Sequence, residues 1–202
     1  MTPPSRVQAP EGRVFSLKRE FTRKLLHLAT ALVPVGYHFG VPSQWIVGAF
    51  AVGTVVAFSV EWLRWNNTAF RDQFTTVFGA LLRPNEVRHL TGATWLCVSG
   101  LAAVILLPAP AAIAALWCAT IGDPAAAIVG RALSREGGRK TSAGSLACLI
   151  CSALGVWWLT PYSFPVALLV GAVAAVAERP SAPLDDNVRV TAATGVFALW
   201  LS

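Results

Sequence analysis

Seven apolar runs, separated in strict alternation by charged connections and by very short neutral ones, dominate this sequence. They lie at 21–39, 44–62, 91–107, 111–132, 143–160, 163–178 and 188–202. A helix of about 20 residues, at about 1.5 Å per residue, spans the hydrocarbon core of a bilayer. Lipid offers no partners for backbone polar groups, so runs of this kind must close their hydrogen bonds within themselves as helices. The pattern predicts an all-α, polytopic transmembrane helix bundle of about seven spans. The neutral connections fall near Tyr37–Gln44, Pro108–Pro110 and Thr160–Phe164, and the charged ones at 1–24, 64–90, 131–142 and 179–189. With the N-terminus in the cytoplasm, all 16 Lys and Arg residues sit in cytoplasmic segments or at cytoplasmic helix ends. That is the positive-inside distribution. Trp45, Trp157, Trp158 and Trp200, with Tyr37 and Tyr162, fall at the outer ends, and Trp62 and Trp65 at the inner boundary.

Composition agrees. Only 13% of the residues are charged, against about a quarter in soluble domains, and the mean hydropathy is +0.59. The formal charge of +6 therefore reads as cationic loops facing anionic headgroups, with no nucleic-acid partner. Residues 1–17, rich in Pro, are expected to be a disordered tail without a removable signal peptide, and 18–202 a single transmembrane domain. Cys97, Cys118, Cys148 and Cys151 all lie in apolar runs, so the Cys148-x-x-Cys151 pair is read as packing. Between spans two and three, Phe70, Phe74, Val77, Phe78 and Leu81 recur at helical spacing opposite Arg71, Asp72 and Gln73. An amphipathic helix over 68–82, lying in the inner interface, is expected.

Ionisable groups within spans are costly, so each needs a reason. Asp123 lies eight residues inside the charged end of the fourth span, about 12 Å deep, between Gly122 and Pro124. That flanking pair loosens the helix. Ala126, Ala127 and Gly130 continue its face without bulk, either for close helix packing or, the reading favoured beside an acid, for a ligand. Beyond it come Arg131, Arg135, Gly137, Gly138, Arg139 and Lys140, then Ser142 as a natural cap, with the amides of Gly144 and Ser145 behind it. Cations, flexible glycines and a helix N-terminus suit a polyphosphate. Arg23, Lys24 and His27 open span one; Glu61 and Arg64 close span two; Glu178 closes span six, ahead of Asp185, Asp186 and Asn187. Carboxylates meeting cations at one depth suit Mg²⁺ bridging nucleotide phosphates. His38 and His89 carry no assigned role.

In order and spacing these residues resemble the CTP-dependent lipid alcohol kinases: dolichol, phytol and CTP-using diacylglycerol kinases. The resemblance runs from about residue 19 to 190. It rests on Arg23, Lys24 and His27; on Glu61 and Arg64; and on Arg83, Pro84 and Glu86 before Thr91-Gly92-Ala93-Thr94. It continues through Asp123, Ala126 and Gly130, similar to the family's Asp-x-x-Ala-x-x-x-Gly, then Lys140, Ser142, Gly144 and Ser145, and ends at Asp186-Asn187. One departure stands out: Ala143 occupies a position where many members carry Glu.

The resemblance implies transfer of the γ-phosphate of CTP to the hydroxyl of a long-chain lipid alcohol. CTP would come from the cytoplasm and the alcohol from the inner leaflet, and a bacterial plasma membrane is the expected location. On this reading Asp123 is metal ligand or base, Lys140 and Arg139 hold phosphates, and Ser142, Gly144 and Ser145 line the phosphate loop beside Ala126 and Gly130. Lys24 is a further phosphate contact, and Glu61, Glu178 and Asp186 are further metal or base candidates. Arg23, His27, Glu86 and Asn187 complete the site, with Mg²⁺ as cofactor. The competing readings are a cytidylyltransferase acting on phosphatidate and a membrane transporter or lipid-binding protein. The first should carry a Lys-Asp…Asp-Arg-x-Asp signature near its end, which the sequence lacks. The second should be polar on both sides of the midplane.

Overall fold

The computed structural model describes residues 27–79, 81–82, 86, 89–133, 140–179 and 184–201. Among them all regular structure is helical. The helices are α1 (Leu32–His38), α2 (Ser43–Asn66), α3 (Thr68–Phe78), α4 (Gly92–Leu106), α5 (Ala109–Trp117), α6 (Asp123–Leu133), α7 (Ser142–Leu159), α8 (Phe164–Glu178) and α9 (Asp186–Trp200). A π-helical turn, Cys118–Gly122, joins α5 to α6. Three continuous helices are long and apolar enough to cross a membrane: Ser43–Asn66, Ala109–Leu133 and Ser142–Leu159. The helices Gly92–Leu106 and Phe164–Glu178 are apolar but shorter than the expected spans.

The two ends of the bundle are built differently. Helices that start at the charged end are capped by side chains: Asn67 Oδ1 accepts from the Phe70 amide at 3.0 Å, Thr141 Oγ1 from Gly144 at 3.1 Å, and Asp185 Oδ1 from Asn187 at 2.9 Å. Helices that start at the other end have no side-chain cap and begin at proline: Pro42 before α2, Pro110 in α5 and Pro165 in α8. Proline brings no N–H, so an end poor in polar groups leaves fewer donors unmet. The neutral end is tied by His38, whose Nδ1 donates to the Leu159 carbonyl at 2.8 Å, and by Tyr162, whose hydroxyl donates to Ala198 at 3.0 Å. The first of these gives His38 a structural task that its loop position did not suggest.

Three expectations need correction. The first span is not one helix: the chain turns at Thr30 and Ala31 before α1 begins. Pro34 explains the break, because its ring excludes the hydrogen bond to the carbonyl of Thr30. The amphipathic helix ends at Phe78, not at residue 82. Its rings do form a ladder, with Phe70–Phe74 centroids 6.2 Å apart and Phe74–Phe78 5.0 Å apart. The cap of α7 is Thr141, one residue before the expected Ser142.

The core sits where α7 meets α5, α6 and α8. Small residues set that approach. A Cβ on Gly171 would stand 2.7 Å from the Leu149 carbonyl, and one on Gly155 would fall within the Trp117 indole. That indole donates from Nε1 to the Cys151 carbonyl at 2.9 Å, bonding α5 to α7 through the gap the glycine leaves. The Cys148-x-x-Cys151 pair belongs to this packed surface, and Cys148 is fully buried. Gly155→Ala should therefore destabilise the fold by about 1–3 kcal/mol, the usual cost of overpacking. Denaturant unfolding in mixed micelles should show it as a lower midpoint.

Candidate functional site

Two polar nodes form at the charged end, and α9 packs against α4 of the first and α8 of the second. The first joins α2, α4 and α9. Glu61 and Arg64 form an ion pair at 3.2 Å, with side chains 2% and 3% exposed. Glu61 Oε1 accepts from the Thr91 amide at 2.8 Å and the Thr94 hydroxyl at 3.0 Å. Arg64 donates to the Glu86 carbonyl at 2.8 Å, and its guanidinium lies 5.2 Å from the Phe74 ring centroid. Glu86 Oε1 accepts from the Gly92 amide at 3.2 Å. Asn187 Nδ2 donates to the Gly92 carbonyl at 3.1 Å and to Asp185 Oδ1 at 2.8 Å. The start of α4 is thus clamped by acids from α2 and from the segment before it. The Glu61 carboxylate thus caps a helix and neutralises a buried arginine. Glu86 and Asn187 share that structural task, and Asp185 caps α9.

The second node joins α6, α7 and α8. Asp123 is 3% exposed and starts α6 directly after the π turn. Pro124 removes an amide there, so the preceding turn widens instead of closing regular i to i−4 bonds. The looseness expected from Gly122 and Pro124 takes this form. His27 packs onto the same turn, its Nε2 donating to the Ala119 carbonyl at 3.0 Å. Lys140 Nζ reaches Glu178 Oε1 at 2.6 Å and also donates to the Glu178 backbone carbonyl. Glu178 is nearly buried at 8% side-chain exposure, while Lys140 is 36% exposed. A Cβ on Gly122 would stand 3.3 Å from Cys148 Sγ, which sets the residue before Asp123 against α7. Asp186 is half-buried in the first turn of α9.

The small-residue face below Asp123 is filled by protein. A Cβ on Gly144 would stand 2.6 Å from the Ala126 carbonyl and 3.2 Å from Gly130 Cα. At this face Ala126 and Gly130 let α7 approach closely. The amides of Gly144 and Ser145, expected to face a phosphate, are engaged by Thr141, at 3.1 Å to its hydroxyl and 3.0 Å to its carbonyl. Ser142 is exposed, and the buried Ser145 hydroxyl has no hydrogen-bond partner among the described residues. Arg23, Lys24 and Arg139, with Arg83, Pro84, Arg135, Gly137 and Gly138, lie outside the described residues. Sequence reading missed the capping work of Thr91 and Thr141, although Thr before a Gly- and Ala-rich apolar run is a legible cap signal.

The clamp has a measurable signature. Glu61→Ala leaves a guanidinium buried without its counter-ion and should cost about 3–5 kcal/mol of stability. Removing both charges, Glu61→Met with Arg64→Met, should recover part of that loss. Unfolding of the three proteins in micelles checks both statements.

Among known proteins, the chain is 26% identical over 199 residues to CTP-dependent diacylglycerol kinase 1 of Schizosaccharomyces pombe (strain 972 / ATCC 24843). The alignment takes in 86% of this chain and 89% of that protein. No family model matches the chain, and no solved structure matches it significantly.

Proposed function

The chain is a relative of the CTP-dependent lipid kinases, and from that premise we propose that it transfers the γ-phosphate of CTP to the hydroxyl of a membrane lipid alcohol. A polyprenol, phytol or a diacylglycerol is the acceptor class. One observation carries the reading: Asp123 is buried at a widened helical turn, and the Lys140–Glu178 pair closes the same end of the bundle. An anion-binding cation and carboxylates on neighbouring helices are what phosphoryl transfer requires, because positioning and charge neutralisation supply most of its catalysis.

The bundle crosses the membrane about seven times with its N-terminus and charged end in the cytoplasm, so CTP arrives from that side. The acceptor enters from the inner leaflet with its tail in lipid. Lys140, together with Arg139 and Lys24, binds phosphate oxygens. Asp123 takes the proton of the acceptor hydroxyl as its oxygen bonds to the γ-phosphorus, and the bond from that phosphorus to the bridging oxygen breaks to release CDP. Glu178 and Asp123 would hold Mg²⁺ through their carboxylate oxygens. Among the described residues no three acidic, His or Cys side chains form a cage alone. That donor set suits Mg²⁺, which takes one or two carboxylates and completes its shell with phosphate oxygens and water. When bound, the ion neutralises charge developing on the transferred group.

Purified protein in detergent, supplied with each nucleoside triphosphate and a panel of polyprenol, phytol and diacylglycerol, should form lipid phosphate and CDP with CTP. Asp123→Asn should lower turnover about 100-fold or more, the scale of a lost general base. Wild-type turnover from that variant removes Asp123 from the mechanism, and pyrophosphate in place of CDP reassigns the reaction to cytidylyl transfer.

A further inference from the structure

The π turn before Asp123 leaves a carbonyl that its own helix cannot serve. The Asp123 amide donates to the Cys118 carbonyl, five residues back. In a regular α-helix that amide would serve the Ala119 carbonyl, four residues back. In the π register the Ala119 carbonyl would take the amide of residue 124, and Pro124 has none. The first donor is thus committed elsewhere and the second does not exist. Ala119 is 1% exposed, so water is no substitute, and an unmet carbonyl in such surroundings is costly.

The missing donor comes from 92 residues away. His27 Nε2 lies 3.0 Å from the Ala119 carbonyl oxygen. A carbonyl only accepts, so that nitrogen carries the proton. The fold brings the two together because α1 packs on α5. The chain runs from His27 through α1 to the neutral end, and α5 runs back from that end into the π turn. On α7, Ser152 bounds the same turn, since its hydroxyl leaves no room for a Cβ on Gly122. The turn is thereby pinned both by His27 and by α7.

We infer that His27 is a positioning residue: its bond to Ala119 holds the π register, and the register aims the Asp123 carboxylate. This rests on the kinase reading above, in which Asp123 takes the acceptor proton. A π turn holds one residue more than the regular turn it replaces. Closing it would rotate Asp123 by about 100° relative to α5 and shift it about 1.5 Å along the axis. In that regular register the Asp123 amide would serve Ala119, and the gap made by Pro124 would pass to the Thr120 carbonyl. The proline therefore leaves one carbonyl unmet in either register. His27 meets the one that belongs to the π form, and so selects it. In this role the imidazole acts through Asp123 and not on the substrate.

The test uses the full chain in detergent, and its first arm needs no turnover. His27→Leu should lower the thermal midpoint by about 5 °C, because Ala119 then lacks a donor. His27→Gln, whose side-chain amide can donate to the same carbonyl, should recover most of that loss. Pro124→Ala restores a backbone amide, so in that background His27→Leu should cost no more than about half as much. Equal costs in the two backgrounds overturn the inference, as does a His27→Gln midpoint no better than that of His27→Leu. The second arm measures lipid phosphate formed from CTP and the acceptor that supports turnover, at a temperature where every variant is folded. His27→Leu should lower kcat about tenfold or more with KM for CTP within about threefold, the pattern of a misaimed base. His27→Gln should recover most of that kcat. A lower midpoint with wild-type kcat makes His27 purely structural and overturns the positioning role. A loss confined to KM for CTP overturns it in favour of a nucleotide contact. Were the wild type to phosphorylate no lipid alcohol, the kinase reading would fall by itself, and the first arm would still decide whether His27 holds the turn.

Discussion

The close approach of α7 to its neighbours is the constraint on which the arrangement depends. Gly144 meets the Ala126 carbonyl and Gly130, Gly155 admits the Trp117 indole, and Gly171 of α8 lies against the Leu149 carbonyl. In an apolar environment helices gain little from hiding hydrophobic surface from one another, so contact distance and the bonds it permits decide association. At these positions the absence of a side chain is the sequence's means of bringing backbones together. Asp123 is placed by that packing: Gly122 seats beside Ser152 and Cys148 of α7, and the carboxylate follows directly.

Polarity follows from the same economy. Buried charge is tolerated where a partner meets it, and the two nodes at the charged end satisfy that condition differently. Around the start of α4, the Glu61–Arg64 pair is enclosed and its hydrogen bonds run to backbone and hydroxyl groups on neighbouring segments, so it acts as a brace. At the start of α7, Lys140 is partly exposed and holds a carboxylate that is nearly buried. A pair open on one side can exchange partners when a stronger anion arrives; one sealed on all sides cannot do so without unfolding its surroundings.

Much of the fold was legible because a bilayer imposes a simple grammar. Apolar run lengths gave the helix positions to within a few residues, and the acids and bases gave the end at which they gather. The break before α1 was also written in the chain, at Pro34, but a hydropathy pattern does not register a missing amide. Part of the candidate site's geometry was legible: Asp123 is buried, as its depth in the fourth run implies, and Lys140 and Glu178 lie at helix ends, where the charges gather. Glu61 did not declare that it would be consumed by Thr91 and Thr94, since those partners lie 30 and 33 residues away. Likewise, the small face at Ala126 and Gly130 fits a ligand and a helix equally well until the position of Gly144 is known.

The sequence by itself therefore determined the helical class, the rough boundaries of the helices and the one-sided distribution of charge, because those depend on local composition and on the cost of polar groups in an apolar medium. Only the tertiary structure decided which acids are braces and which remain open, and which carbonyl a distant side chain must meet. Those outcomes depend on distances between side chains far apart in the chain. Hydrogen bonds and ion pairs act over a few ångströms, and no pattern of spacing along a sequence fixes such distances.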